Sequence, residues 1–257
     1  MADQLIRFDH IVKRFHVGTP DETTLFDGFD FGVDEGEFIS IVGSKTPLLN
    51  LLCGSLPLDA GRLYYRNRDI TRLPEHKRAA FIGRVFQDPA KGSCPDLTIL
   101  ENMALADNKK GRYSLAPAIG KKRIDAYRSM LEICNMGLEN RLGQPVGSLS
   151  GGQRQALALV IAGMTDIDIL VLDEHTAALD PKSSERVMEI TRKLVEERKV
   201  TTLMVTHNLR FAVQYGTRLV MMHAGQAVLD LKEEEKRAAS VDVLLQKFNE
   251  ISIECGN

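Results

Sequence analysis

The sequence predicts an α/β fold built around a mainly parallel sheet. Short apolar runs rich in β-branched residues, at 38–42 and 169–172, are typical of central strands with both faces covered. From residue 152 onward such runs alternate with helical patterns, which favours strand–helix–strand crossovers. The alternation predicts a helix over 152–163, a strand over 169–172, a helix over 182–197, and strands over 200–205 and 218–222.

The N-terminal third predicts further strands before a helical segment. Residues 5–8 and 29–33 alternate as half-buried strands do, with a turn-rich stretch from Val17 to Thr24 between them. A strand is predicted over 61–65 and a helix over 48–52. From about 89 to 148 the strand signals fade, and helical spacing over 99–106 and 122–136 predicts a mostly helical insert. Beyond Lys232 the pattern predicts a charged helical tail.

Composition narrows the class of protein. The 257 residues suffice for one large domain with a substantial core. A net charge of -2 gives no basic field, so nucleic acid is not indicated as a partner. No apolar run approaches the roughly 18–20 residues that cross a bilayer, and no secretory signal is visible at the N-terminus. The four cysteines are scattered without a Cys-x-x-Cys pair, which favours reduced cytoplasmic thiols over metal or disulfide sites.

Two motifs point to nucleotide chemistry. Residues 149–153 read Leu-Ser-Gly-Gly-Gln and precede a predicted helix. Two glycines at a helix N-terminus let backbone N–H groups approach an anion, and the helix dipole favours negative charge there. Some twenty residues later, Asp173 and Glu174 end a buried strand at the edge where open α/β sheets bind ligands.

Together these motifs resemble the signature and Walker B motifs of the ATP-binding cassette (ABC) ATPases. The resemblance implies a P-loop NTPase, RecA-like core with an N-terminal antiparallel β portion and an α-helical insert. It implies one ABC domain over 1–230, with core and β portion at 1–88 and 152–230, insert at 89–151, and a helical tail at 231–257. ATP hydrolysis with Mg²⁺ is the activity that it implies.

The resemblance also assigns roles to individual residues. Asp173 matches the Mg²⁺-binding aspartate and Glu174 the glutamate that polarises the attacking water. Gln87, in the run Val-Phe-Gln-Asp-Pro, matches the Q-loop glutamine, which links the metal and water to the helical insert. His207, at the end of a predicted strand, matches the switch histidine that contacts the γ-phosphate. Phe15 is placed as the aromatic that stacks on adenine, by position only, with a core phenylalanine as the alternative.

The same resemblance implies partners. In this family the signature closes over ATP held by a second subunit, which assigns Ser150, Gly151, Gly152 and Gln153 to a partner's nucleotide. Asp180 matches the D-loop that crosses the dimer interface. The chain is therefore expected to form a head-to-tail dimer, docked through residues near 88–100 on a separate membrane permease at the inner face of the cell membrane. His175, where proline is commoner, resembles bacterial importers of amino acids or similar solutes, which also use an extracytoplasmic substrate-binding protein.

One motif departs from the family pattern. A phosphate loop reads Gly-x-x-x-x-Gly-Lys-Ser/Thr, whereas this chain has Gly43, Ser44, Lys45 and Thr46 in succession, about four residues short. Most backbone donors that would wrap a β-phosphate are missing, although Lys45 still matches the phosphate-binding lysine and Thr46 the Mg²⁺-binding hydroxyl. Three explanations stay open: a subunit that donates its signature to a partner's site, an engineered or erroneous variant, or a loop rebuilt with neighbouring donors.

Two other classes of function stay open from the sequence. One is a soluble ABC ATPase of a non-transport machine. The sequence shows neither the tandem cassettes nor the long coiled-coil insert that are usual in the members of that class that act on nucleic acid. The other is a non-catalytic regulatory subunit, which only the short loop favours.

Overall fold

The computed structural model describes residues 4–43, 46–108 and 121–254. The side chains of Thr46, Lys121, Phe248 and residues 251–254 lie outside that description. The chain divides into two compact units. Unit 1 comprises Met1–Leu52, Leu56–Arg72 and Leu203–Asn257, and unit 2 comprises Cys53–Ser55 and Leu73–Thr202.

The elements follow one another along the described chain. The strands are β1 (Ile6–Phe15), β2 (Thr23–Val33), β3 (Phe38–Gly43), β4 (Ala60–Tyr65), β5 (Arg68–Asp69), β6 (Ile82–Val85), β7 (Ile169–Asp173), β8 (Thr201–Val205), β9 (Arg218–His223) and β10 (Gln226–Lys232). The α-helices are α1 (Thr46–Cys53), α2 (Glu75–Arg78), α3 (Ile99–Asp107), α4 (Lys121–Glu132), α5 (Gly151–Gly163), α6 (Pro181–Arg198), α7 (Leu209–Gln214), α8 (Glu233–Ala238) and α9 (Val241–Glu254).

Unit 1 contains an antiparallel sheet in the order β2-β1-β4-β5. Its strands β1 and β2 are longer than the sequence predicts. The alternation in β1 is interrupted by a register shift between Phe8 and Ile11, where His10 takes a positive φ of 48°. Such a bulge inserts an unpaired residue and breaks the period of two, so only the N-terminal part of β1 carries a clear strand pattern.

Unit 1 also holds strands in the order β10-β9-β3, with β9 parallel to β3 and antiparallel to β10. Just after β8, the N–H of Thr206 donates to the carbonyl of Ile41 in β3 (3.1 Å). The buried Arg218 guanidinium pairs with Asp230 (2.6 Å) and Glu37 (3.2 Å) and so anchors the first residue of β9. Strand β10 was not predicted, because it is an edge strand with a mostly exposed, weakly alternating pattern.

Unit 2 contains the parallel pair β6 and β7 and the first two residues of β8, where the N–H of Thr201 donates to the carbonyl of Asp168 (3.2 Å). Every residue of β7 is buried, as its continuous apolar run predicts. Helix α5 packs against β6 and α6, and α3 packs against α4 and α5.

The helix and strand boundaries mostly follow the sequence pattern after residue 150. Helix α4, which lies before residue 150, departs from its predicted bounds, because it ends at Glu132 rather than at residue 136. Asn135 has a left-handed φ of 47°, and its N–H donates to the carbonyl of Glu132 (3.0 Å). A left-handed residue just past the last turn is a common way to end a helix. The structure of unit 2 therefore stops this helix by local backbone geometry that helical spacing alone does not reveal.

Candidate functional site

The entry to the shortened phosphate loop is tightly built. Gly43 ends β3 with a φ of +104°, paired in the parallel ladder with Met222 of β9. A Cβ at this position would lie 1.7 Å from the carbonyl oxygen of Met222, so the backbone here accommodates glycine alone. Helix α1 begins at Thr46. Ser44, Lys45 and the Thr46 side chain lie outside the described residues, so their predicted roles stay predictions.

Strand β7 presents Asp173 at its carboxyl end. The carboxylate is nearly buried, and its Oδ2 pairs with Nη2 of Arg84 on the neighbouring strand β6 (2.8 Å). The two strands run parallel with Arg84 opposite Val171, so Arg84 reaches two residues along β7 to meet Asp173. A buried carboxylate requires such a compensating charge.

Glu174 follows in a left-handed conformation, with a φ of 48°. Non-glycine residues in this region are uncommon, and such backbone strain clusters at functional sites. The carbonyl of Glu174 accepts from the N–H of Ala177 (2.9 Å), which closes a turn directly after the strand. The half-buried Glu174 side chain is thus positioned by a fixed turn rather than by a flexible loop.

Helix α6 holds the segment that follows Glu174. His175 is fully buried, and its Nε2 lies 3.2 Å from the hydroxyl of Thr191. Because that hydroxyl donates to the carbonyl of Val187 (2.9 Å), it accepts from His175, which therefore carries its proton on Nε2. The hydroxyl of Ser184 donates to the carbonyl of Thr176 (3.2 Å). These contacts tie the turn after β7 to α6 at Ser184 and Thr191.

Asp180 is the N-cap of α6. Its Oδ1 accepts from the N–H of Ser183 (3.1 Å), and hydrogen bonds from the Ser183 side chain and backbone lower the pKa of Asp180. The side chain is exposed, so a negative charge stands at the positive end of the helix dipole on the surface of unit 2.

The signature segment begins α5 with a reciprocal capping box. Ser150 Oγ accepts from the N–H of Gln153 (3.3 Å), while the Gln153 side chain accepts from the N–H of Ser150 (3.2 Å). Ser150 is exposed and Gly151 is partly exposed. A Cβ on Gly152 would lie 3.0 Å from Cβ of Ser183, so this glycine allows the first turns of α5 and α6 to approach. The structure thereby brings the signature segment beside the helix that Asp180 caps.

Gln87 follows β6 and is exposed. The residue before it, Phe86, is held in place by α5, because the buried Gln155 of that helix donates through Nε2 to the carbonyl of Phe86 (3.0 Å). Arg84 lies over the Phe86 ring, with its guanidinium carbon 4.6 Å from the ring centre. Since β6 and β7 are parallel neighbours with Val85 opposite Leu172, Gln87 leaves the sheet at the same edge as Asp173.

The remaining candidates lie in unit 1. His207 is exposed and follows β8, next to Thr206, whose N–H is bonded to β3 two residues before Gly43. The next residue, Asn208, caps α7 by accepting from the N–H of Phe211 (3.2 Å). Phe15 ends β1 and is partly exposed. The ammonium of Lys13 lies 5.6 Å from its ring centre, which is a cation–π distance. Phe15 is therefore not an enclosed core residue, and its stacking role stays a prediction.

A cavity of about 460 Å³ lies within unit 2, beside the segment that follows Gln87. Its wall includes Lys91 and Cys94 from that segment, Leu105 from α3, and Arg84 and Phe86. Asn102 of α3 holds the segment in place: its Oδ1 accepts from the N–H of Cys94 (2.7 Å), and its Nδ2 donates to the carbonyl of Cys94 (3.0 Å).

Sequence reasoning missed several residues that position the site. Arg84, Asn102 and Gln155 act through contacts with partners that folding brings near, for example Arg84 with Asp173 at a sequence separation of 89. Motif spacing does not encode such pairings. The sequence signal that could have identified two of them is a polar residue within an apolar segment. Gln155 in helix α5 and Arg84 in strand β6 are such residues, and a buried polar side chain must find a partner.

The described oxygen donors suit Mg²⁺. Asp173 offers a carboxylate and Gln87 an amide oxygen, at the ends of adjacent parallel strands. Mg²⁺ is bound by oxygen ligands and commonly takes one or two carboxylates together with phosphates and water. Asp173 Oδ2 is bonded to Arg84, so Oδ1 is the oxygen without that contact.

Three features define an α/β nucleotide-binding class of protein. They are the carboxylates at the end of β7, the two glycines at the start of α5, and the glycine that ends β3 before the short loop. Comparison with known proteins gives the family. The ABC transporter family matches residues 26–177. The chain is 41% identical to a tyrosine transport ATP-binding protein of Clostridioides difficile, over 95% of this chain and 98% of that protein. It is 31% identical to a putative hemin import ATP-binding protein of Staphylococcus aureus, over 85% and 96% of the two chains.

Solved structures agree. A dimeric ATP-binding cassette in a post-hydrolysis state, with ADP and Pi bound, matches with a TM-score of 0.75 at 28% identity, over 88% of this chain and 98% of that one. A nucleotide-free cassette from an ABC transporter matches in fold with a TM-score of 0.78, over 99% of this chain and 100% of that one. The chain belongs to the ABC transporter ATP-binding proteins, which are ATPases of the P-loop class. The predicted fold class is thereby confirmed.

Proposed function

We propose that this ATP-binding subunit drives a bacterial importer with the residue roles inferred from its motifs. The observation that carries the proposal is the edge of unit 2 where Asp173 ends β7, Glu174 follows it directly, and Gln87 follows the adjacent strand β6. Parallel strands that end together place an oxygen ligand, a water-polarising carboxylate and an amide at one edge of the sheet. Mg²⁺, when bound there, neutralises charge on the phosphates.

The chain's own residues orient the water and bind the phosphates. Glu174 orients and polarises the attacking water from its fixed turn, and the His175–Thr191 contact keeps that turn on α6. His207 contacts the γ-phosphate, and Lys45 with the first turn of α1 binds the phosphates. Gln87 passes the state of this site to the segment that follows it.

The decisive test of catalysis replaces Glu174 with glutamine. Glu174→Gln removes the charge that polarises water but keeps the side-chain shape, so we expect ATP hydrolysis to fall by at least about a hundredfold while ATP still binds. Glu189→Gln, at an exposed position on α6, is the matched control and leaves turnover unchanged. Equal turnover in both variants would remove Glu174 from the mechanism.

The shortened phosphate loop requires its own experiment. Calorimetry measures Mg·ATP affinity for this chain and for a version with four residues restored between Ser44 and Lys45. Similar affinities mean that the short loop still binds phosphate, which supports an active ATPase. Binding only by the restored version supports the second candidate function, a subunit that donates its signature to a partner's site.

The exposed Ser150 and Asp180 support a head-to-tail dimer in which the signature segment covers ATP of a second subunit. Glu174→Gln with ATP traps such a dimer, because the nucleotide is not consumed. Light scattering should then report twice the monomer mass with ATP and the monomer mass with ADP. A monomer under both conditions contradicts the dimer proposal, provided that ATP binding has been verified.

The cavity beside residues 91–94 is the docking place proposed for the permease. Among the described residues no helix is long and apolar enough to cross a membrane, and the relatives carry transporter names. Leu105, on the cavity wall, is 58% exposed, so Leu105→Asp should disturb docking without disturbing folding. Val243→Asp, at a position 50% exposed in α9, is the matched control. Retention of the permease by both variants in a pull-down from membranes would place docking elsewhere.

The cargo follows from relatives rather than from the site. The relative at 41% identity carries a tyrosine transport name, which supports an amino acid or a similar small solute as cargo, delivered by a substrate-binding protein. Reconstituted with its permease and binding protein in vesicles, the subunit should accumulate labelled tyrosine and not hemin. The chain would then act at the inner face of the cell membrane.

A further inference from the structure

The carboxylate proposed to hold the metal already has a cation. Arg84 and Asp173 form an ion pair at 2.8 Å, and both side chains are nearly buried, at 13% and 12% exposed. An arginine side chain keeps its charge at any pH that a folded protein tolerates. A metal ion that binds Asp173 must therefore share the carboxylate with this guanidinium or displace it.

We propose that Arg84 is a resident cation that competes with the divalent metal for Asp173. The inference rests on the proposed metal site at Asp173 and adds that metal affinity is set by exchange of this ion pair. Two cations within a few ångströms of each other repel strongly in a partly buried site, and the single negative charge of Asp173 is too small to compensate both the guanidinium and a divalent metal ion.

The structure offers the displaced guanidinium a place. Arg84 already lies over the ring of Phe86 at 4.6 Å, and its Nη1 lies 3.4 Å from the hydroxyl of Ser55. Both Arg84 and Phe86 line the cavity within unit 2. A guanidinium that leaves Asp173 can therefore stay stacked on Phe86 at the cavity wall, next to the residue that precedes Gln87.

The competition has a direct measurement that needs no nucleotide. Mn²⁺, used alone as the probe, is titrated into the full-length protein while electron paramagnetic resonance reports the free ion. Arg84→Met keeps most of the apolar stem and removes the charge, so we expect it to bind Mn²⁺ at least about tenfold more tightly than the parent chain. Arg84→Lys keeps a positive charge and should stay within about threefold of the parent, as expected for a charge effect.

Further variants separate the possible failures. Asp173→Asn should lose Mn²⁺ binding; if it binds as well as the parent, the proposed metal site itself is wrong. If Asp173→Asn loses binding but Arg84→Met binds no more tightly than the parent, the metal site stands and the competition is refuted. Weaker binding by Arg84→Met also refutes it, because Arg84 would then orient Asp173 for the metal.

A second measurement covers the case in which Arg84→Met fails to fold. In the parent chain the Nε–H signal of Arg84, assigned with Arg84→Lys, is followed by NMR during a Mg²⁺ titration. Exchange of the ion pair predicts a saturable shift of that signal with the same midpoint as metal binding. A signal that stays in place at saturating Mg²⁺ overturns the proposal.

Discussion

Replacement of Gly43 by alanine should be among the most damaging single changes in unit 1. The residue has a φ of +104°, a region that is almost restricted to glycine, and holding a non-glycine residue there costs about 1–3 kcal/mol. The added Cβ would also lie 1.7 Å from the carbonyl oxygen of Met222, whereas real Cβ contacts below 3.0 Å essentially do not occur. The two strands must therefore separate by more than an ångström at this point.

That separation weakens the parallel ladder between β3 and β9, in which Gly43 pairs with Met222. Loss of one buried backbone hydrogen bond adds about 1–3 kcal/mol. Together the two effects predict a destabilisation of about 2–6 kcal/mol, a large part of the stability of an ordinary domain. The distortion also falls at the start of the phosphate loop, so the folded variant should lose ATP affinity.

Gly36→Ala is the matched control for backbone strain. Gly36 has a φ of +80°, but a Cβ there would meet nothing within 4 Å. Its replacement should cost only the left-handed conformation, about 1–2 kcal/mol. Urea denaturation followed by circular dichroism gives both free energies of unfolding. Equal losses in the two variants would show that the close approach to Met222 contributes nothing, and the reasoning would be refuted.

Three further predictions concern unit 2. Asn102→Ala removes the side chain that hydrogen-bonds to the N–H and the carbonyl of Cys94. The free energy of unfolding measured in urea should fall by about 2–4 kcal/mol, and the variant should retain the permease more weakly. Unchanged stability would contradict the anchoring role. Ser150→Ala removes one half of the α5 capping box and should cost about 1 kcal/mol in thermal unfolding, whereas Ser150→Thr should retain most of it. Burial lowers the pKa of His175 from 6.5 to about 4, so between these pH values the unfolded chain binds more protons than the folded chain. The free energy of unfolding therefore falls as the pH drops through that window, by about 3 kcal/mol in total. His175→Gln keeps a donor for Thr191 without titrating, so its unfolding free energy should be less dependent on pH over that window than in the parent; identical slopes would assign the acid sensitivity to other groups.

The sequence predicts the interior of this fold better than its edges. Strands β3, β7 and β8 are buried on both faces, so their apolar runs identify them directly. Strand β1 is bulged and β10 is an exposed edge strand, so tertiary pairing decides their extent and the local pattern does not.

The candidate site shows the same division. Asp173, Glu174 and the signature segment were predicted because the family's motifs have fixed residue types at fixed places in the chain. Arg84 and Gln155 were missed because each acts on a partner brought near by folding, at sequence separations of 89 and 69.

The carboxylate edge of unit 2, meaning Asp173 at the end of β7 and Glu174 after it, can be tested separately from the short phosphate loop. Asp173 has its compensating charge from Arg84 within unit 2, so its burial does not depend on a bound phosphate or metal. A chain with a defective loop would thus still keep a folded carboxylate edge, and an intact edge alone does not prove ATP turnover. If restoring four loop residues changes ATP affinity while Arg84→Met raises Mn²⁺ affinity in both loop versions, phosphate binding and metal binding are separable. If the effect of Arg84→Met appears only with the restored loop, then the loop helps to set the metal site, and the short loop limits both steps.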